Sequence, residues 1–185
     1  MNEAIFTQLQ KEMDQSVVAL RKELAKIRTG RASTALLEHI VVDYYGATTP
    51  LNQLATLSAP EARLLVIQPY DRSALGDIEK AILKSDLGLT PNNDGKIIRV
   101  PIPQLTEERR KELVKHVKRI AEEFRVSVRN HRRIAIEHLK DAEKKKQVTA
   151  DEAKHGQDRI QKITDEYIGR IEKIVKAKED EVMEV

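Results

Sequence analysis

Eight cations, Lys111, Lys115, Lys118, Arg125, Arg129, Arg132, Arg133 and Lys140, recur mostly at spacings of three, four and seven. On a helix turning about 100° per residue, with Arg125 at zero, the other seven fall between roughly −20° and 80°. Leu113, Val117, Ile120, Phe124, Val128, Ala135, Leu139 and Ala142 fall on the opposite side, between roughly 220° and 320°. One helix would thus hide an apolar face and present a cationic ridge. A merely solvated face alternates signs and pairs at i,i+4. Within Arg125, Arg129, Arg132 and Arg133 the only acid at that spacing is Glu137, and Glu122 is the main interruption of the ridge. Like charges kept side by side imply a partner that brings the anions. Arginine at the centre suits RNA, because its planar fork bonds two phosphate oxygens and stacks on unpaired bases. Arg28 and Arg31, either side of Thr29-Gly30, are placed to extend such a surface.

The charge distribution agrees. The net charge is only +3, but residues 109–146 carry fourteen Lys and Arg against six Asp and Glu, leaving the remainder at −5. A local field of that kind favours a polyanion. With 40% hydrophobic and 34% charged residues the chain has a folding composition, and 3% aromatics suits long exposed helices better than one thick core. Cysteine is absent, which excludes disulfide and thiolate chemistry and suits a reducing cytoplasm. The longest apolar runs are four residues, so no membrane span is expected. The opening Met-Asn-Glu-Ala lacks the basic-then-apolar order of a signal peptide.

Catalytic constellations are not visible. There is no Gly-rich phosphate loop, HExxH or GxSxG. His39, His116, His131, His138 and His155 form no i,i+4 metal pair, and His131 and His138 read as bundle-edge residues. Asp71-Arg72-Ser73 suits a helix cap and Asn92-Asn93-Asp94 a turn. Tyr44 and Tyr45, adjacent in a strand, point to opposite faces, so one is expected at the surface and the other in the core. Neither an enzymatic activity nor a cofactor or metal is expected.

Proline and glycine divide the chain into the elements that must position the ridge. All six prolines lie between Pro50 and Pro103, and five of seven glycines between Gly30 and Gly95. Before them, Ile5, Leu9, Met13, Val17, Leu20, Leu24 and Ile27 make one stripe, predicting a helix over 2–29 that stops at Gly30. After them, Thr106 is an N-cap with Glu107 and Glu108 in the first turn, opening a helix of about 40 residues. Thr149-x-x-Glu152 is a capping box for a third helix striped by Ile160, Ile163, Tyr167, Ile171, Ile174 and Val182. Packed up, down and up, the three bury what none can bury alone.

The middle predicts strands over 39–45, 63–67 and 96–100 and a short helix over 73–85. The fold class is therefore α+β: a long three-helix bundle (1–30 and 105–185) with a small inserted β-rich α/β domain (31–104). The two crossings, Thr29-Gly30-Arg31 and Pro101-Ile102-Pro103-Gln104-Leu105, read as a two-strand hinge, freed by glycine in one strand and restrained by proline in the other.

Ordered motifs add a resemblance. Lys26-Ile27-Arg28-Thr29-Gly30-Arg31-Ala32-Ser33, Tyr44-Tyr45-Gly46, Ser85-Asp86-Leu87-Gly88-Leu89, Ile98-Arg99-Val100-Pro101, Leu105-Thr106-Glu107-Glu108-Arg109-Arg110-Lys111 and Val128-Arg129-Asn130-His131-Arg132-Arg133 resemble the bacterial ribosome recycling factor family. The resemblance runs from about residue 20 to the C-terminus. It implies an L-shaped, tRNA-like monomer that binds the post-termination ribosome through large-subunit rRNA. With elongation factor G and GTP hydrolysis such a factor splits the ribosome into subunits and releases mRNA and tRNA. Carried over by position, the RNA contacts are Arg28, Arg31, Arg129, Arg132 and Arg133. The chain departs from the family's usual pattern at the apolar Ile134-Ala135-Ile136 and at His131, which bears on local packing. The competing function is a coiled-coil adaptor or chaperone-like protein with a basic helix, which would need an exposed apolar groove for clients.

Overall fold

The computed structural model describes residues 3–184. The chain divides into two compact units, residues 1–28 with 106–185, and residues 29–105.

In the first unit α1 (Glu3–Ala25), α4 (Glu107–Lys144) and α5 (Ala150–Met183) pack together. The expected caps are present. Thr106 Oγ1 accepts from the Arg109 amide at 3.2 Å, and Thr149 and Glu152 exchange both bonds of a capping box at 2.8 and 3.2 Å. Helix α4 is closed beyond Lys144 by Lys146 at φ 58, with Lys146 N–H to Glu143 O and Gln147 N–H to Ala142 O, a Schellman closure that starts the turn into α5.

Three details of the stripes differ from the sequence expectation. Helix α1 stops at Ala25, not at 29. Lys26 and Ile27 bond back three residues, to Glu23 and Leu24, so the last turn tightens before Gly30 is reached. The start predicted at Asn2 lies outside the described residues. Phe6 and Ser16 are buried while Ile5 and Val17 are only half-buried, so the buried face is rotated slightly from the counted stripe. Ser16 is satisfied there by donating to Glu12 O at 3.1 Å. In α5, Val175 takes the buried place expected for Ile174.

At Gly156 α5 packs tightly on α4. A Cβ there would lie 2.7 Å from Leu139 Cδ2 and 3.2 Å from Cδ1, and Leu139 is fully buried. Gly156→Val should therefore destabilise the bundle by about 1–3 kcal/mol through overpacking. A thermal melt followed by circular dichroism checks this; an unchanged midpoint would mean the seam is loose.

The second unit holds two antiparallel sheets. β1 (Val41–Tyr44) pairs with β2 (Ala47–Pro50), and β3 (Ala55–Glu61), β4 (Leu64–Pro69), β5 (Asn92–Asn93) and β6 (Ile98–Pro101) form a sheet ordered β3-β4-β6-β5. α2 (Leu51–Leu54) links the sheets, and α3 (Leu75–Lys84) buries Leu75, Ile78 and Ile82 in a core shared with Val42, Leu65, Ile67 and Ile98. The strands expected over 39–45, 63–67 and 96–100 correspond to β1, β4 and β6 with shifted ends. β2 and β3 were not expected. Asn92 and Asn93, read as turn, form the short β5, and the turn follows at Asp94-Gly95. Asp94 holds that turn by accepting from Lys96 and Ile97 amides and pairing with Arg99 at 2.7 Å; these contacts lower its carboxyl to about 2.

Candidate nucleic-acid interface

The bundle unit carries twenty-six Lys and Arg against twenty-two Asp and Glu, the other unit seven against eight, so the positive excess lies with the helices. Within α4 the expected apolar stripe is buried at Leu113, Val117, Ile120, Val128, Ala135, Leu139 and Ala142, with Phe124 half-buried. That fixes which way the ridge faces.

The four central arginines separate into two rows. Arg125 and Arg132, seven residues apart, lean on α5. Arg125 makes a two-point bond to Glu172, 2.6 Å from Nε and 3.1 Å from Nη2, and adds Glu122 at 3.2 Å. Its side chain is only 22% exposed. The bond to Glu172 raises the arginine's pKa and lowers that of Glu172, as expected of a mutually satisfied pair. Arg125 is thus an α4–α5 clasp first. Arg132 Nε donates to Gln161 Oε1 at 2.8 Å, and Gln161 is itself oriented by donating to Asp165 at 2.8 Å. Among the described residues no carboxylate lies within ion-pair distance of Arg132. Its charge is held by a neutral acceptor and is uncompensated by any described carboxylate.

Arg129 and Arg133, four apart, point outward and are 60% and 62% exposed. Each touches one exposed acid: Arg129 meets Glu122 at 3.2 Å, and Arg133 meets Glu137 at 2.7 Å besides donating to Asn130 at 2.9 Å. Exposed pairs of this kind are worth roughly 0–1 kcal/mol, so both guanidinium groups are open to a stronger anion. The i,i+4 count identified Glu137 but not Glu122, which reaches its partners at i+3 and i+7. Nor could it find Glu172 and Gln161, which belong to another helix. Lys111 is paired with Glu107 at 3.0 Å, while Lys115, Lys118 and Lys140 are exposed along the same helix.

The two departures in this stretch have structural explanations. Ile134 and Ile136 are half-buried beside the buried Ala135, and His131 Nδ1 lies 3.1 Å from Glu12, tying α4 to α1.

Arg28 is half-buried just beyond α1 in the bundle unit, and Arg31 is exposed in the other unit. The residues read as a hinge, Thr29, Gly30, Arg31, Pro101, Pro103, Gln104 and Leu105, all fall within 29–105. There Ala32 N–H bonds Ala62 O at 2.7 Å and Ile102 N–H bonds Arg63 O at 2.8 Å, so both strands are sewn to the β3–β4 turn. Gly30, at φ 77, lies against Leu105: a Cβ would sit 3.1 Å from its Cγ. Tyr44 and Tyr45 divide as expected in direction: Tyr44 is half-buried against the core of the small unit, and Tyr45 is at the surface. Tyr45 leaves the strand at φ 49 and is 81% exposed, and the two rings meet edge-on at 4.5 Å, with Tyr44 bonded to Asp71 at 2.9 Å.

The sequence profile described as "Ribosome recycling factor" matches residues 20–183. The chain belongs to the ribosome recycling factor family. A ribosome-recycling factor of Natranaerobius thermophilus is 58% identical over 97% of this chain and 98% of its own length. That of Bacillus subtilis is 55% identical over the whole of both chains. Among solved structures, a solution structure of the ribosome recycling factor is 46% identical, covers 100% of both chains and superposes with a TM-score of 0.77. Another, 47% identical over 98% of both chains with a TM-score of 0.65, is a model of the T. thermophilus ribosome recycling factor, described with the E. coli elongation factor G bound to the E. coli post-termination complex. The ribosome recycling factor family comprises translation factors, not enzymes. Its α+β architecture, long helices with a small sheet unit, is the one observed here. Among the described residues no helix is long and apolar enough to cross a membrane.

Proposed function

We propose that this chain recycles ribosomes in the cytoplasm as a monomer. It binds the post-termination ribosome and, together with elongation factor G and GTP hydrolysis, promotes separation into subunits with release of mRNA and tRNA. The observation that carries the RNA-binding part is the outward row of α4, where Arg129 and Arg133 stand exposed beside an Arg132 that has no carboxylate partner among the described residues. These three are the principal contacts to large-subunit rRNA. Arg125 contributes mainly by bracing α4 on α5, and Arg28 and Arg31, one in each unit, are further RNA-contact candidates. A 38-residue helix supported by two others is stiff, so force applied elsewhere on the factor reaches the RNA without being absorbed. Since Ala32 and Ile102 are bonded to the β3–β4 turn, flexing is assigned to the bonds flanking 28–29 and 105–106 rather than to the middle of either strand. No cofactor is required, because the nucleotide chemistry belongs to elongation factor G.

The test is breakdown of polysomes or of purified post-termination complexes. Dissociation should need this chain, elongation factor G and GTP together. Equal breakdown without the chain, or without elongation factor G, would refute the reading.

A further inference from the structure

Glu122 lies on α4 ahead of the outward row and serves two arginines at once, with Oε1 3.2 Å from Arg129 Nη1 and Oε2 3.2 Å from Arg125 Nη1. It is 56% exposed. Arg125 does not depend on it, since Glu172 already takes two of its nitrogens. The carboxylate therefore adds little to the bundle, yet it places two anionic oxygens between two guanidinium groups. A phosphodiester offers the same pattern, two anionic oxygens accepting from planar N–H donors. We propose that Glu122 is a built-in competitor for RNA: it occupies the seat of one backbone phosphate between Arg125 and Arg129 and must swing away when RNA binds.

This rests on the rRNA-binding reading of α4 and adds a regulation to it. A factor used repeatedly has to leave after each round, and an internal anion waiting beside the arginines shortens the bound state. Such a repulsive element lowers affinity for every polyanion at that seat while the arginines keep their orientation. The helix geometry makes displacement easy, because Glu122 is itself 56% exposed and held by one 3.2 Å contact to each arginine, and one or two rotamer changes carry its carboxylate into solvent.

The test compares full-length wild type, Glu122→Gln, Arg129→Ala and Asp180→Asn for binding to vacant ribosomes at fixed salt, with dissociation rates. Asp180 pairs with Lys176 near the end of α5 and controls for the loss of one negative charge anywhere in the bundle. Glu122→Gln should bind about three- to tenfold more tightly than Asp180→Asn, mainly through slower dissociation. Multiple-turnover recycling should slow while the first round is unchanged. If Arg129→Ala binds weakly and Glu122→Gln binds no more tightly than the Asp180 control, the competitor role is overturned while the RNA face stands. If Arg129→Ala binds like wild type, the RNA face itself is refuted, and the competitor with it.

Discussion

Ribosome affinity is expected to fall by about two to three orders of magnitude when Arg129, Arg132 and Arg133 are replaced together by alanine, with the bundle still folded. Each contact from guanidinium to phosphate is a charge-assisted bond worth about 1–1.5 kcal/mol, near the low end for hydrogen bonds to charged groups. Three of them give about 3–4.5 kcal/mol, and 1.4 kcal/mol is a factor of ten in affinity. The folded state loses far less. The internal partners are the exposed Glu122 and Glu137 and the neutral Gln161 and Asn130, and alanine is the best helix former at solvent-facing positions. Circular dichroism should show unchanged helicity and a melting point within a few degrees. Arg125→Ala should behave differently. It frees Glu172 at the α4–α5 seam, so it should cost stability first and ribosome affinity only secondarily. A triple variant that binds normally would leave α4 with no role in the grip.

The second large effect concerns the small unit. Ile98 is fully buried in β6, opposite Ile67 of β4 on one side and Asn93 of β5 on the other. Ile98→Ala removes a central side chain from a core made only of residues 32–102 and should cost about 2–5 kcal/mol. A single core of that size rarely supplies more than about 3–5 kcal/mol. The variant should therefore lose the sheet unit while the three helices remain folded. Calorimetry would show the early transition lowered or absent and the helical transition retained, and amide exchange would be fast across 41–101 alone. Ribosome binding should persist within a few-fold, but subunit separation should be lost, because only one of the two working parts remains. One cooperative transition displaced as a whole would show that the units do not fold independently.

Much of this was legible in the residues, for reasons that also explain the gaps. Proline and glycine act locally, so their confinement to the middle marked out the helical and mixed regions. The stripes on α4 and α5 were readable because steps of three and four over many turns average out local irregularity. On α1, by contrast, counting from Ile5 concealed the buried Phe6, and a serine such as Ser16 gives no apolar signal even when its hydroxyl is satisfied within the helix. β2 and β3 were invisible for a related reason. Ala47-Thr48-Thr49-Pro50 lacks an apolar alternation, and that of Ala55, Leu57 and Ala59 is short, mostly of small residues and ended by Pro60; their place in the sheets is decided by partners, Val41–Tyr44 and Leu64–Pro69, that a linear reading does not see.

The candidate interface divides in the same way. The wheel located the ridge because angle along a helix depends on sequence position alone. It treated Arg125, Arg129, Arg132 and Arg133 as one ridge, although Arg125 and Arg132 nearly coincide in angle at one edge and Arg129 and Arg133 lie further round. It could not show that the first row touches α5, because Glu172 lies 47 residues from Arg125 and Gln161 lies 29 from Arg132. Those contacts depend on the register in which α4 and α5 pack, which Gly156 and Leu139 help to set.

The most direct measurement is the salt dependence of ribosome binding for wild type and for Arg132→Ala, the arginine whose charge no described carboxylate offsets. Each lost phosphate contact should reduce the slope of log affinity against log salt by about 0.7–0.9. The two lines should diverge at low salt and converge as salt rises. Parallel lines, or coincident ones, would mean that Arg132 meets no phosphate on the ribosome and would contradict the account.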